Sequence, residues 1–197
     1  MEPTDEQLVT LYRDGAGDAF QRLLLRHVDG IYNFAFRLVG NREAAQDITQ
    51  EASIKAWKNI DRFNTGEKWK TWIYAIARNT AIDYLRKKRS LSFTDTELAS
   101  GQNPAIDNQE ADEPLPDNMA MQIEDKALLE TALSELSPLY REVVYLYYYE
   151  DMTLQEIANL LDKPIDTVKS QRRRGMKLLR EALFRLIPAE NAPNYQV

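Results

Sequence analysis

The 197-residue sequence has no cysteine and one histidine, His27. The first absence excludes disulfide frameworks, thiolate zinc sites and cysteine nucleophiles, and a lone imidazole leaves a histidine-based metal site without its second ligand. No metal and no cofactor is expected. The chain also lacks any run approaching the ~20 apolar residues that a membrane span needs. Its first residues, MEPTDEQLV, have neither the basic start nor the apolar stretch of a secretory signal. A cytoplasmic protein without membrane insertion is expected, one that performs no catalysis.

Forty-four per cent of the residues are apolar, enough to build a core, and the length suits one domain or two. The formal net charge of -6 argues, taken alone, against a nucleic-acid partner, because phosphate binding needs clustered Lys and Arg. Its distribution reverses that inference. Residues 1–89 carry 15 basic and 12 acidic side chains, net +3; residues 90–126 carry 1 and 9, net -8; residues 127–197 carry 9 and 10, net -1. Residues 78–89 hold five basic side chains against Asp83, and residues 163–185 hold eight against Asp166 and Glu181. A nucleic-acid backbone meets this local field, not the total.

The acidic middle, rich in Ser, Asn, Asp and Glu and containing Pro104, Pro114 and Pro116, has too little apolar surface to offset its ordering entropy. It reads as a flexible acidic linker over 91–126. The expected fold is all-α: two small helical domains, 1–90 and 127–187, with a short tail at 188–197. Thr4 and Gln7 form a capping box before a first helix that Gly15 and Gly17 end. A long helix starts at Asp18 and stops at Gly40-Asn41, with Phe20, Leu23, Leu24, Val28, Ile31, Phe34, Ala35 and Leu38 in a three-four stripe. Helices over 42–61 and 69–88 follow, separated by a polar loop at 62–68. Beyond the linker, Leu129, Ala132, Leu133 and Leu136 form one stripe, and Ser137-Pro138 opens a helix through Tyr148.

The strongest functional signal is TLQEIANLLDKPIDTVKSQRRRGMKLLREAL, residues 153–183. Thr153 and Glu156 cap a short helix, Lys163-Pro164 breaks it, and a longer basic helix follows from about 166 to 186. This is the pattern of a helix-turn-helix, whose second helix enters the major groove. Lys169, Ser170, Arg172, Arg173 and Arg174 lie in its first turns, where Arg can donate two hydrogen bonds to guanine O6 and N7. Lys177 and Arg180, further along, suit phosphates.

A second constellation is WKTWIYAIARNTAIDYLRKKRS, residues 69–90, in which Trp69, Trp72, Tyr74 and Tyr84 interleave with Lys70, Arg78 and Arg86. Aromatics beside cations stack on unpaired bases while the charges hold the strand. Trp69, Ile73, Ile76, Thr80 and Tyr84 share one helical face, however, so the pattern also suits a core. The third constellation, Asp47, Gln50, Glu51 and Ile54, falls at i, i+3, i+4 and i+7, opposite the small apolar face of Ala45, Ile48, Ala52 and Ala56. A polar stripe enclosing one apolar residue suits docking on a partner protein, although periodicity alone favours an ordinary solvated face.

With DITQEASIKAWKNIDRF, WKTWIYAIARNTAIDYLRKKR and the helix-turn-helix in this order around an acidic linker, the chain resembles the extracytoplasmic-function (group four) sigma factors of RNA polymerase. The resemblance covers about residues 5–90 and 125–186. It implies a two-domain factor, sigma region 2 followed by region 4, that binds core polymerase and directs promoter recognition, melting and initiation. By the same resemblance Asp47, Gln50, Glu51 and Ile54 fall where such factors grip the beta-prime clamp helices, while region 4 meets the beta flap. Trp69, Arg78, Asn79 and Arg86, with the 62–68 loop, fall at the minus-ten element, where a non-template base is extruded at a cost of a few kcal/mol. Lys169, Ser170, Arg172, Arg173, Arg174 and Lys177 fall at the minus-thirty-five element, and an anti-sigma factor is an expected partner. Position 172 departs from the family, which places an apolar residue there, so either the Arg172 stem snorkels past the core or the helix is rotated. Which of the three consecutive arginines face bases stays open.

Two other readings compete. A stand-alone helix-turn-helix regulator would bind DNA tightly without polymerase. A nuclease would need Asp47 and Glu51 to hold a metal, and the stripe lacks a metal-ligand cluster.

Overall fold

The structure is a computed structural model that describes residues 2–91 and 126–186. The linker expected at 91–126 and the tail at 188–197 lie almost wholly outside the described residues. Among these residues every regular element is helical.

Four helices form the N-terminal unit: α1 (Asp5–Arg13), α2 (Asp18–Val39), α3 (Arg42–Asn59) and α4 (Trp69–Leu91). Thr4 and Gln7 close the capping box at the start of α1. Gly40 ends α2 with φ of 68°, a left-handed conformation that costs glycine nothing. Asn41 restarts the chain by accepting the Ala44 amide at 2.8 Å. Helix α3 stops two residues earlier than its sequence pattern, because Ile60–Arg62 tightens into a 3-10 turn that buries Ile60. The Arg13 Nη2 atom clamps this turn, donating to the carbonyls of Ile60 and Phe63 at 2.6 Å each. Ala44, Ala45, Ala52 and Ala56 give α3 a flat buried face, and small side chains let α2 and α4 pack closely on it.

The C-terminal unit comprises α5 (Lys126–Glu135), α6 (Pro138–Tyr148), α7 (Leu154–Leu161) and α8 (Ile165–Leu186). The stripe of Leu129, Ala132, Leu133 and Leu136 meets Val144, Met176, Leu179, Ala182 and Leu183 in one apolar cluster. Asp162, with φ of 52°, ends α7 and makes the sharp turn into α8.

The units are not separate bodies. Helix α4 packs against α7 and α2 against α6. One core continues from Phe34, Ile73 and Ala77 into Tyr145, Leu146 and Ile157. Phe34 stacks on Tyr145 at 5.9 Å, and the Arg37 guanidinium lies 4.8 Å above the Tyr145 ring. The two domains expected on either side of the linker thus pack against each other.

Candidate nucleic-acid and polymerase interfaces

The helix-turn-helix forms as its residues dictate. Thr153 accepts the Glu156 amide at 3.2 Å while Glu156 accepts the Thr153 amide at 2.8 Å. Val168, Gln171, Gly175, Met176 and Leu179 turn inward along α8. That fixes the rotation of the basic helix: Lys169, Arg173 and Lys177 are exposed, with Ser170 and Arg174 half-buried beside them. Lys169 pairs with Asp166 at 3.0 Å, but both side chains are more than half exposed, so water and nucleic acid compete readily for the contact.

Arg172 corrects the expected set. It is half-buried, its guanidinium lies 4.8 Å from the Tyr147 ring centroid on α6, and its Nε atom is buried. At an otherwise apolar position, the Arg172 head is held against the Tyr147 ring of its own domain, which sets it apart from the exposed Arg173. Of the three consecutive arginines, Arg173 is the exposed one, while Arg172 and Arg174 are both half-buried.

At the N-terminal unit, Asp47, Gln50, Glu51 and Ile54 are all exposed on one face of α3, and Ile54 retains 44% of its surface. Glu51 makes an exposed pair with Lys55 at 2.8 Å. Sequence reasoning stopped one turn short of Trp57, which is 52% exposed and donates its indole N–H to the Tyr12 hydroxyl at 2.8 Å. Carrying the same three-four period to i+10 would have found it. An exposed tryptophan and isoleucine beside exposed carboxylates make an arrangement that suits docking on a partner protein.

The residues expected at the minus-ten element separate into three groups. Asn79 and Arg86 are exposed, Arg86 beside Asp83 at 3.0 Å on the same helix. Trp69 is fully buried, and its ring meets Phe63 edge-on at 5.2 Å and Trp72 at 4.9 Å. It therefore anchors the 62–68 loop and presents no face to a base, which corrects its assignment. Only the wheel face shared with Ile73 carried the right signal. Arg78 is turned to the second unit, its Nε donating to the Glu142 carboxylate at 2.6 Å. Beside it, burial lowers the affinity of the Lys163 amine for its proton; Arg78 adds to this and Glu142 opposes it.

Among the described residues no group of acidic, His or Cys side chains is placed to hold a metal ion, and no helix is long and apolar enough to cross a membrane.

Comparison with known proteins gives this geometry its family. Residues 23–91 match the model of Sigma-70 region 2, and residues 126–179 match that of Sigma-70, region 4. The ECF RNA polymerase sigma factor SigW of Bacillus subtilis is 35% identical over 93% of this chain and 98% of its own length. RNA polymerase sigma factor SigV of the same organism is 31% identical over 78% of this chain and 84% of its own. Among solved structures, the sigma factor RpoE of Bartonella quintana, in complex with the anti-sigma factor NepR, superposes with a TM-score of 0.63 at 25% identity, covering 85% of this chain and 98% of that one. A chain that carries this helix-turn-helix, matches both regions in order and shares 35% identity with SigW over nearly its full length belongs to the extracytoplasmic-function sigma factors of RNA polymerase.

Proposed function

We propose that the chain binds core RNA polymerase through the α3 face of Asp47, Gln50, Glu51 and Ile54, extended by Trp57, and directs it to promoters in the cytoplasm without itself making or breaking covalent bonds. Helix α8 reads the minus-thirty-five element with Lys169, Ser170, Arg173 and Arg174, and Lys177 holds phosphate. The 62–68 loop, with Asn79, Arg78 and Arg86, takes the minus-ten element. Contacts to the beta flap are assigned to region 4 as a whole, and an anti-sigma factor is the expected regulator, as for the NepR-bound relative.

The observation that carries this reading over a stand-alone regulator is the α3 face. A repressor needs its helix-turn-helix but has no use for an outward stripe of carboxylates around exposed Ile54 and Trp57. Run-off transcription with core polymerase on a panel of genomic promoters is the direct test. Initiation that depends on the chain, and is lost when Asp47, Gln50 and Glu51 are changed together to Ala with DNA affinity unchanged, is expected. Tight promoter binding with no initiation at any promoter would establish the regulator instead.

A further inference from the structure

Helix α1 carries no residue assigned to polymerase or to DNA, yet it grips both ends of the 62–68 loop. At the entry, the Arg13 Nη2 atom donates to the carbonyls of Ile60 and Phe63 at 2.6 Å each. At the exit, a Glu6 carboxylate oxygen accepts the backbone N–H of Trp69, the first residue of α4, at 3.1 Å. That N–H is one of those a helix start leaves without a partner inside the helix, so Glu6 caps α4 from a different helix, with its charge at the favourable end of the dipole. Seven residues separate Glu6 from Arg13, close to two turns. Both therefore lie on one side of α1, about 10 Å apart along its axis.

Within the loop the bonds close on themselves. Residues 64–68 are all exposed, the Gly66 N–H donates to the Asn64 side chain at 3.0 Å, and the Glu67 N–H donates to the Asn64 carbonyl at 2.9 Å. The direction of this turn relative to α4 is thus set where it leaves and rejoins the bundle. Phe63 against Trp69 supplies the apolar part of that joint, but ring contacts tolerate sliding, whereas short hydrogen bonds fix the direction of a carbonyl. Helix α1 is itself firmly seated. Leu8 and Val9 are fully buried, Asp5 binds His27 at 2.6 Å and Arg26 at 3.0 Å, and the Tyr12 hydroxyl accepts the Trp57 indole N–H at 2.8 Å. Arg13 is exposed and Glu6 half-buried, so neither fills the core. What they supply is geometry.

We propose that Glu6 and Arg13 are positioning residues for minus-ten recognition: by holding the two roots of the 62–68 loop, they set its direction against α4, and with it the base preference at that element, without touching DNA themselves. This rests on the assignment of the loop to the minus-ten element. A base taken out of its stack is selected by a site already in place to receive it. A loop with loose roots still meets the strand but discriminates less between bases.

The test uses holoenzyme, the full chain reconstituted with core polymerase, transcribing a barcoded promoter library randomised over both elements. Arg13→Ala and Glu6→Ala should each reduce the strongest minus-ten base preference by at least about threefold, the scale of one or two net hydrogen bonds, with the minus-thirty-five preference and the affinity for core polymerase as in the parent. Glu6→Gln, which keeps an oxygen acceptor for the Trp69 N–H, should retain the parent preference. A merely structural role would lower transcription from every promoter together and leave both preferences intact. Unchanged minus-ten preference in the two alanine variants, equal flattening at both elements, or a Glu6→Gln variant as altered as Glu6→Ala overturns the positioning role. Changing Asn64, Thr65 and Glu67 together to Ser separates this role from the assignment beneath it. If that change leaves the minus-ten preference intact, the loop assignment falls and takes the positioning role with it. If it flattens the preference while Arg13→Ala and Glu6→Ala do not, the loop assignment stands and the positioning role alone falls.

Discussion

Arg78 and Glu142 meet at 2.6 Å across the boundary between regions 2 and 4, with side chains 19% and 7% exposed. A pair this enclosed is costly to halve, because the surviving charge stays desolvated, and breaking such pairs costs about 3 to 5 kcal/mol. The two units can part and let water reach the orphan, so the loss is capped by the free energy of parting. Arg78→Ala is therefore expected to cost about 3 kcal/mol or less in urea unfolding, and Arg78→Met/Glu142→Met to recover most of it. A double variant no better than the single one would show that the pair's desolvation is not what Arg78→Ala exposes.

The elements were legible in the sequence because their signals are local. Thr4 with Gln7 and Thr153 with Glu156 announce helix starts within four residues, and Gly40 announces a stop. The closure was not legible. Nothing local in the sequence marks Glu142 and Glu150 for burial, and the partners that meet them lie 64 and 80 residues away. Trp69 was ambiguous for a different reason: the same spacing serves a base-stacking platform and a core. Only its packing with Phe63 and Trp72 decides. Arg172 is the converse case, since its odd chemistry at an apolar position pointed to a choice between snorkelling and rotation, and its stacking on Tyr147 resolves it.

The orientation of α8 separates three basic residues that stand close in sequence. Arg173→Ala is expected to cost about 1 to 3 kcal/mol in DNA binding and to relax specificity at one base position. Lys177→Ala should weaken all sequences alike and make the salt slope shallower by about 0.9. Arg172→Ala should leave base preference intact and lower stability instead, since it removes the stacking on Tyr147. Competition binding on a randomised duplex pool, at several salt concentrations, distinguishes the three. A change of base preference in Arg172→Ala would place that side chain on the DNA.

Helix α8 lies so close to α6 that Gly175 has no room for a side chain. A Cβ there would stand 2.7 Å from Val144 Cγ2 and 3.3 Å from Tyr140 Cβ. Alanine gains about 1 kcal/mol of helix propensity over glycine. The overpacking it forces costs about 1 to 3 kcal/mol, so Gly175→Ala is expected to be net destabilising by about 1 kcal/mol. Val144→Ala removes the offending methyl. In a double-mutant cycle read by thermal unfolding, the two changes should couple favourably, and strict additivity would show that Val144 is not the obstacle.

Asp5 ties the start of α1 to α2, at 2.6 Å from His27 and 3.0 Å from Arg26. Burial alone would raise its pKa, but hydrogen bonds from His27 and Arg26, together with their charges, outweigh burial and hold it below its ordinary value of 3.8. A carboxyl depressed in the folded state binds its proton more weakly there than in the unfolded chain. Its stabilising contribution is therefore complete above pH 3.8 and is lost as the pH falls from there through the lowered folded value. Asp5→Asn should lower thermal stability at neutral pH, and the gap to the parent should narrow as the pH is taken below 3.8. A gap that stayed constant through the acid range would mean that the Asp5 charge contributes nothing and that the loss lies in the geometry of the asparagine.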